Sequence, residues 1–188
     1  MNRIIKNNKG VTLVELLATL VIISIIGALT YSVLFQGFSN YQRIQVESQL
    51  RDEADLIMAN IVKDLFVLKK SQISLKNQCT AGVNKSLIEV KKVKASTGTT
   101  ETYKTGFENG KVFVKGNEIS FYNDNIKLLN TDCSALSPTI IRKKDDSNAY
   151  TIIFTLQTLK GKTMHTIKFE NTINVIDDSK EASKWTSH

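Results

Sequence analysis

Hydrophobic residues are distributed very unevenly along this chain. The segment from Leu16 to Gln42 contains no charged side chain, whereas the rest of the chain is rich in Lys, Asn and Thr. An uncharged run of this length is enough for a helix that crosses about 30 Å of hydrocarbon. This segment therefore predicts a helix made for lipid or for deep burial.

The apolar run passes into a pattern typical of an amphipathic helix. Apolar residues recur at spacings of three and four, with charged residues on the other faces: Leu50, Ala54, Ile57, Ile61, Leu65 and Leu68. Together the two patterns predict an unbroken helix from about Thr12 to about Lys70. Its apolar stripe would suit either a coiled-coil dimer or a sheet of the same chain, and we favour the sheet because strand-like sequence follows.

Alternation with a period of two predicts two antiparallel hairpins in the second half of the chain. The first is expected to turn at Gly116-Asn117 and the second at Lys160-Gly161. One face of the second hairpin should pack on the helix while the other faces water. Its packed face would consist of Tyr150, Ile152, Phe154 and Leu156.

The segments around these hairpins complete the expected architecture. Strand signals begin near Leu87 to Val93, the segment from Lys94 to Gly106 is loop-like, and Asp177 to His188 is a polar, frayed tail. A long helix covered by an antiparallel sheet is an α+β fold.

The formal net charge is +7, and three of the positive charges lie in the first ten residues: Arg3, Lys6 and Lys9. The remainder is only mildly basic, which is typical of a solvated Lys-rich surface. Nucleic acid is therefore a disfavoured partner. DNA capture would have to use the loops around Lys91, Lys92 and Lys94.

The chain has two cysteines, Cys79 and Cys133, without a CxxC pair and without a neighbouring His. A zinc site is not expected from this pattern. If the segment is exported, one disulfide would close a loop of over fifty residues and add about 4 kcal/mol of stability. Two unrelated thiols in a reducing compartment are the alternative.

The sequence contains no visible frame for an active site, a metal or a cofactor. His165 lies in a strand pattern, and His188 and Trp185 lie in the tail. Asp145-Asp146 and Asn123-Asp124-Asn125 offer oxygens to calcium, but Asx-rich turns have the same composition. We expect a protein that is not an enzyme.

The amino terminus is compatible with a secretory signal peptide, a signal anchor or a prepilin leader, which differ in where they are cut. Cleavage behind the apolar core would need a small-residue site, for which Gly27-Ala28 is a weak match. An uncut span is the better physical interpretation. With the three basic residues retained inside, the carboxyl side faces outward.

Glu15 does not fit a plain membrane anchor. An ionised carboxylate towards the bilayer centre costs about 2.5 to 3.5 kcal/mol or more, so it needs a partner or a shallow position. Thr12 and Glu15 have the spacing of a capping box. Glu15 at the headgroup level, as an acid favoured by the helix dipole, is the alternative.

The string from Lys9 to Ile23, KGVTLVELLATLVII, resembles the leader of type IV prepilins and pseudopilins over about residues 6–40. The shared features are a basic peptide ending in Gly, a hydrophobic first mature residue, Thr next, Glu fifth and a continuous apolar helix. The resemblance implies that a membrane prepilin peptidase cuts after Gly10. Val11 would become an N-methylated amino terminus. Thr12 and Glu15 would serve assembly, with Glu15 meeting the amine of a neighbouring subunit.

This resemblance implies a minor pilin or pseudopilin with five segments. These are a leader (1–10), a transmembrane or filament-core helix (11–42), an amphipathic helix (43–72), a β-rich globular part (73–176) and a polar tail (177–188). The subunit would sit in the cell membrane with its carboxyl part outside, and then enter a filament. Its partners would be other pilin subunits, prepilin peptidase and the assembly platform of a type IV pilus, a competence pilus or a type II secretion system. The rival interpretation is a single-pass anchored receptor or binding module with an uncleaved helix.

Overall fold

The computed structural model describes residues 10–80, 82–93, 98–145 and 147–178. The chain divides into two compact units, one up to Gln45 and one from Val46 onward. Helix α1 (Leu13–Leu65) contributes to both units. The basic residues of the leader, Trp185 and His188 lie outside the described residues.

Helix α1 ends at Leu65 rather than at the predicted Lys70, and a short 3₁₀ helix, Lys70–Gln72, follows. The backbone N–H of Lys70 donates to the carbonyl of Ile176 at 2.9 Å, and the N–H of Ile176 donates to the carbonyl of Leu68 at 3.0 Å. These backbone groups therefore pair with the far end of the chain instead of continuing the helix.

The predicted tail is tethered at its beginning. The hydroxyl of Ser71 donates to a carboxylate oxygen of Asp178 at 2.5 Å, and the N–H of Ser71 donates to the other oxygen at 3.3 Å. These bonds hold the pKa of Asp178 below its usual range, because they stabilise the charged form. The prediction of a frayed segment from Asp177 is therefore wrong as far as Asp178, and residues 179–188 lie outside the described residues.

Five antiparallel strands form the first sheet in chain order. They are β1 (Ile73–Thr80), β2 (Val83–Val93), β3 (Thr100–Glu108), β4 (Lys111–Val114) and β5 (Asn117–Ile119). Strand structure thus begins at Ile73, earlier than the predicted Leu87. The predicted loop from Lys94 to Gly106 is wrong from Thr100 onward, and residues 94–97 lie outside the described residues.

The first hairpin turns one residue earlier than predicted. Val114 pairs with Asn117, so the two loop residues are Lys115 and Gly116 rather than Gly116 and Asn117. Lys115 has a φ of 52° and Gly116 a φ of 80°, and two successive positive values are the requirement of a type I′ turn. Because a lysine rarely adopts a positive φ, the sequence pattern predicted the turn one residue too late.

Four strands form a second sheet, where a single sheet was predicted: β6 (Ile126–Leu128), β7 (Ile140–Lys143), β8 (Ala149–Lys160) and β9 (Thr163–Asn174). Strand β8 pairs with β9 along one edge and with β7 and β6 along the other. The predicted β8–β9 hairpin is confirmed, although its loop residues are Gly161 and Lys162. Ile153 and Thr155 on the predicted water face are also buried, and the Thr155 hydroxyl donates to the carbonyl of Pro138.

The core of the second unit lies between its part of α1 and the sheets. Every residue of the predicted helix stripe is at most 1% exposed: Leu50, Ala54, Ile57, Ile61, Leu65 and Leu68. Burying each large aliphatic side chain contributes about 1.5 to 3 kcal/mol. The structure therefore uses the stripe within the chain, and the predicted α+β, type IV pilin-like layout is confirmed.

A buried carboxylate also ties α1 to the first sheet. Asp64 is 1% exposed and accepts hydrogen bonds from the hydroxyls of Tyr103 and Thr105 on β3. Burial, together with the hydrogen bond to Asp64, raises the pKa of Tyr103 above its usual range. Two hydroxyl donors thus satisfy an acid that would be costly to bury alone.

Candidate processing and assembly site

The start of α1 contains the capping box that the sequence predicts. The backbone N–H of Glu15 donates to the Thr12 hydroxyl oxygen at 3.3 Å. In return, the backbone N–H and the hydroxyl of Thr12 donate to Glu15 Oε2 at 2.9 Å and 3.0 Å. The box satisfies two backbone donors that a helix start leaves without intrahelical partners.

The geometry of Glu15 leaves half of its carboxylate available. Both hydrogen bonds from Thr12 reach Oε2, and Oε1 has no hydrogen-bond partner among the described residues. The side chain is exposed, as is every described residue before Val46. A further donor can therefore approach Oε1 without disturbing the capping box.

The packing of the described residues does not require glycine at position 10. A Cβ built on Gly10 meets no atom within 4 Å, and its φ lies outside the left-handed region that favours glycine. Any L-residue would therefore fit here among the described residues. A reason for glycine at this position would lie outside them.

Helix α1 carries one long apolar surface that no other part of the described residues covers. It is long and apolar enough to cross a membrane by length and composition. Its large side chains are between half and four-fifths exposed from Val11 to Ile44, with Leu13 at 80% and Val21 at 51%. An uncovered surface of this size requires lipid or protein around it.

Several hydroxyl groups within this apolar segment donate to carbonyls of the helix itself. Thr19 donates to the carbonyl of Leu16 at 2.8 Å, Ser24 to that of Leu20 at 2.8 Å, and Thr30 to that of Ile26 at 2.9 Å. Such bonds allow polar side chains in an apolar medium. The sequence analysis did not predict these hydrogen bonds, although Ser and Thr inside an apolar helix are the signal that indicates them.

The two cysteines form a disulfide with Cα atoms 5.9 Å apart. Cys79 lies on β1, and Cys133 lies in the loop after β6, with a left-handed φ of 58°. The bond therefore joins the first sheet to the loop that leads into β7. Two hydroxyls organise the same loop, since Ser137 Oγ lies 3.1 Å from Thr131 Oγ1 and donates to the carbonyl of Thr139.

We expect the double variant Cys79→Ser/Cys133→Ser to lose about 4 kcal/mol of unfolding free energy, because the unfolded chain gains the freedom of a long open loop. Denaturant unfolding of the full chain in detergent measures the loss. Wild-type protein under reductant is the control and should unfold with the variant. Equal midpoints for oxidised wild type and variant would contradict a stabilising role.

The other sequence candidates do not assemble into a site. Asn123 Oδ1 accepts the N–H of Asn125 at 3.0 Å, which is an Asx turn. Asp145 and the half-buried His165 belong to no group of side chains that could hold a metal ion, within the part of the chain that the structure describes. Lys91 and Lys92 are exposed at the end of β2, while Lys94 and Asp146 lie outside the described residues.

Comparison with known protein families gives a match at the amino terminus. Residues 5–31 match the model of the prokaryotic N-terminal methylation motif. No curated protein and no solved structure matches the chain. The motif is the type IV prepilin signature, and it stands in front of a type IV pilin-like α+β layout. The motif supports a type IV pilin-like substrate of prepilin peptidase, and the family that carries this motif is one of structural pilin subunits.

Proposed function

We propose that this chain is a minor pilin or pseudopilin that prepilin peptidase cuts between Gly10 and Val11 and that is then assembled into an extracytoplasmic filament. The observation that carries the proposal is the uncovered apolar helix that begins with the Thr12–Glu15 capping box. The helix holds the precursor in the membrane. After cleavage, the same surface packs against other pilin subunits.

The position of the cut rests on Gly10. Because no described residue lies where a Cβ at Gly10 would stand, we ascribe the small size of this residue to the peptidase, whose active site must reach the backbone of the scissile bond. The cut leaves Val11 as a new amino terminus, which is then methylated. The capping box begins one residue later, so the helix start remains intact through the reaction.

Assembly uses the charge that cleavage creates. The new amine of Val11 is cationic, and in a filament core it would be costly without an opposite charge. Glu15 Oε1 of an adjacent subunit accepts it, while Oε2 stays in its capping box. The pairing neutralises both groups and fixes the axial register between subunits.

The globular part suits an extracytoplasmic subunit. The Cys79–Cys133 disulfide favours export to an oxidising compartment, which supports an orientation with the carboxyl side of the helix outside. Two sheets make this part larger than a simple covered hairpin, which favours a minor pilin or pseudopilin over a small major pilin. The partners are other pilins and the assembly platform of a pilus, a competence pilus or a type II secretion system.

Mass spectrometry of the native protein tests the proposal directly. We expect the mature chain to begin at Val11 and to carry an N-methyl group. An intact Met1, or a cut behind Ala28, would contradict it. The same measurement excludes the anchored receptor, because an uncleaved helix predicts the precursor mass in the functional protein.

A further inference from the structure

A groove of about 690 Å³ lies between α1 and the loop that joins β5 to β6. Its apolar wall includes Leu56, which is 52% exposed, and Tyr122, which is 96% exposed. Three carboxylates also line it, and no Lys or Arg does: Asp52, Glu53 and Asp124. We call this surface the acidic groove.

Two of the three carboxylates have no partner among the residues that the structure describes. Glu53 Oε1 accepts the backbone N–H of Asn123 at 3.0 Å. Asp52 and Asp124 are exposed and make no ion pair with any residue that the structure describes. An apolar wall beside free carboxylates suits a long aliphatic side chain with a cationic end, and the ring of Tyr122 can face the same cation. The groove thus has the chemistry to bind lysine.

The end of the β8–β9 hairpin has the complementary composition. All six residues from Leu159 to Met164 are exposed, and we call this segment the hairpin tip. Leu159 and Met164 are cross-strand partners, exposed by 57% and 55%. Lys160 and Lys162 stand beside them, and neither forms an ion pair within the described ranges. The tip therefore presents two lysines and an apolar pair.

The tip and the groove adjoin each other on the same unit. Ile126, which lines the groove, pairs with Thr158, the residue before the tip. No hydrogen bond or ion pair described in the structure joins the tip lysines to the groove carboxylates of the same chain. A surface that carries both halves of a complementary pair side by side can meet a second copy of itself reciprocally.

We propose that the acidic groove and the hairpin tip bind a second copy of this chain, with each tip in the groove of the other. The tip lysines meet Asp52 and Asp124, and the pair Leu159–Met164 packs on Leu56 and Tyr122. The contact uses only residues after Val46. It is therefore expected in the uncut precursor as well as in the processed subunit, and it does not depend on the proposed function.

Charge-reversal variants test the contact between two differently tagged full-length copies. Co-purification of the two copies from detergent-solubilised membranes is the measurement. Wild-type copies should recover each other. Asp52→Lys/Asp124→Lys on both copies should reduce recovery about tenfold, and so should Lys160→Glu/Lys162→Glu, because opposite charges become like charges. Mixing the two variants restores both halves of the contact and should restore recovery.

Matched variants separate the contact from general effects of charge and surface. Lys91→Glu/Lys92→Glu makes the same charge change as Lys160→Glu/Lys162→Glu, but on β2. It should leave recovery unchanged. Tyr122→Ser should weaken recovery, whereas Leu136→Ser, at a residue 93% exposed on another loop, should not. Intact Cys79–Cys133 in each variant verifies folding.

Three results would overturn the proposal. They are wild-type copies that do not recover each other, mixed variants that stay apart, and a groove that retains only a different pilin. Failure of these assays would leave the amino terminus at Val11 untouched. Conversely, an uncut but self-associating chain would contradict the proposed function and support this contact.

Discussion

Gly10→Val should leave the precursor uncut in the membrane, with processing slower by about 100-fold or more. The valine Cβ meets no atom of the described residues within 4 Å, so the variant should fold like the wild type. It does add bulk beside the scissile bond, where a small misplacement of the backbone in an active site has an effect of that size. Mass spectrometry of the membrane-bound protein measures the fraction that begins at Val11.

Gly27→Val is the matched control for this result. Gly27 also has no atom within 4 Å of a built Cβ, and it lies in the apolar part of α1 that follows Gly10. The control should be cut normally. Equal cleavage of both variants would show that Gly10 has no special part in processing.

Glu15→Ala should be processed but should fail to enter filaments. The Val11 amine of a neighbour would then be left unpaired in an apolar surrounding, and removing one member of a buried ion pair costs about 3 to 5 kcal/mol. That loss corresponds to a decrease of about 100-fold or more in incorporation. Immunoblots of sheared filament and membrane fractions give the ratio, alongside the mass of the processed chain.

Glu15→Gln separates the two roles of this side chain. Glutamine can keep the capping box, because its oxygen can accept from Thr12, but it carries no charge. If charge pairing drives assembly, the glutamine variant should fail nearly as completely as the alanine variant. Normal assembly with glutamine would assign the role to the helix start instead.

The sequence predicted those elements whose periodicity is strong. The stripe from Leu50 to Leu68 is buried as predicted, and so is the packed face of β8. Strand β1 was missed because its sequence, ISLKNQCT, is largely polar and its side chains are mostly exposed or half-buried. An edge strand of this kind is specified by its partner β2 more than by its own pattern.

Other features depended on residues far apart in the chain. The end of α1 is set by backbone pairing between Leu68–Lys70 and Ile176, which no local signal reveals. The division into two sheets depends on the pairing of both β6 and β7 with one edge of β8. At the amino terminus, by contrast, the capping box could be predicted because Thr12 and Glu15 are one turn apart.

The hydroxyls of Thr19, Ser24 and Thr30 donate to carbonyls of their own helix, which affects the transfer of the helix from one environment to another. Moving from fluid acyl chains to a bundle of like helices need not break any of these bonds, so the exchange is nearly neutral for these groups. The free-energy difference between the two locations can then be set largely at the amino-terminal end. Under the proposed function, the proteolytic cut there is thus well placed to decide when the subunit leaves the bilayer.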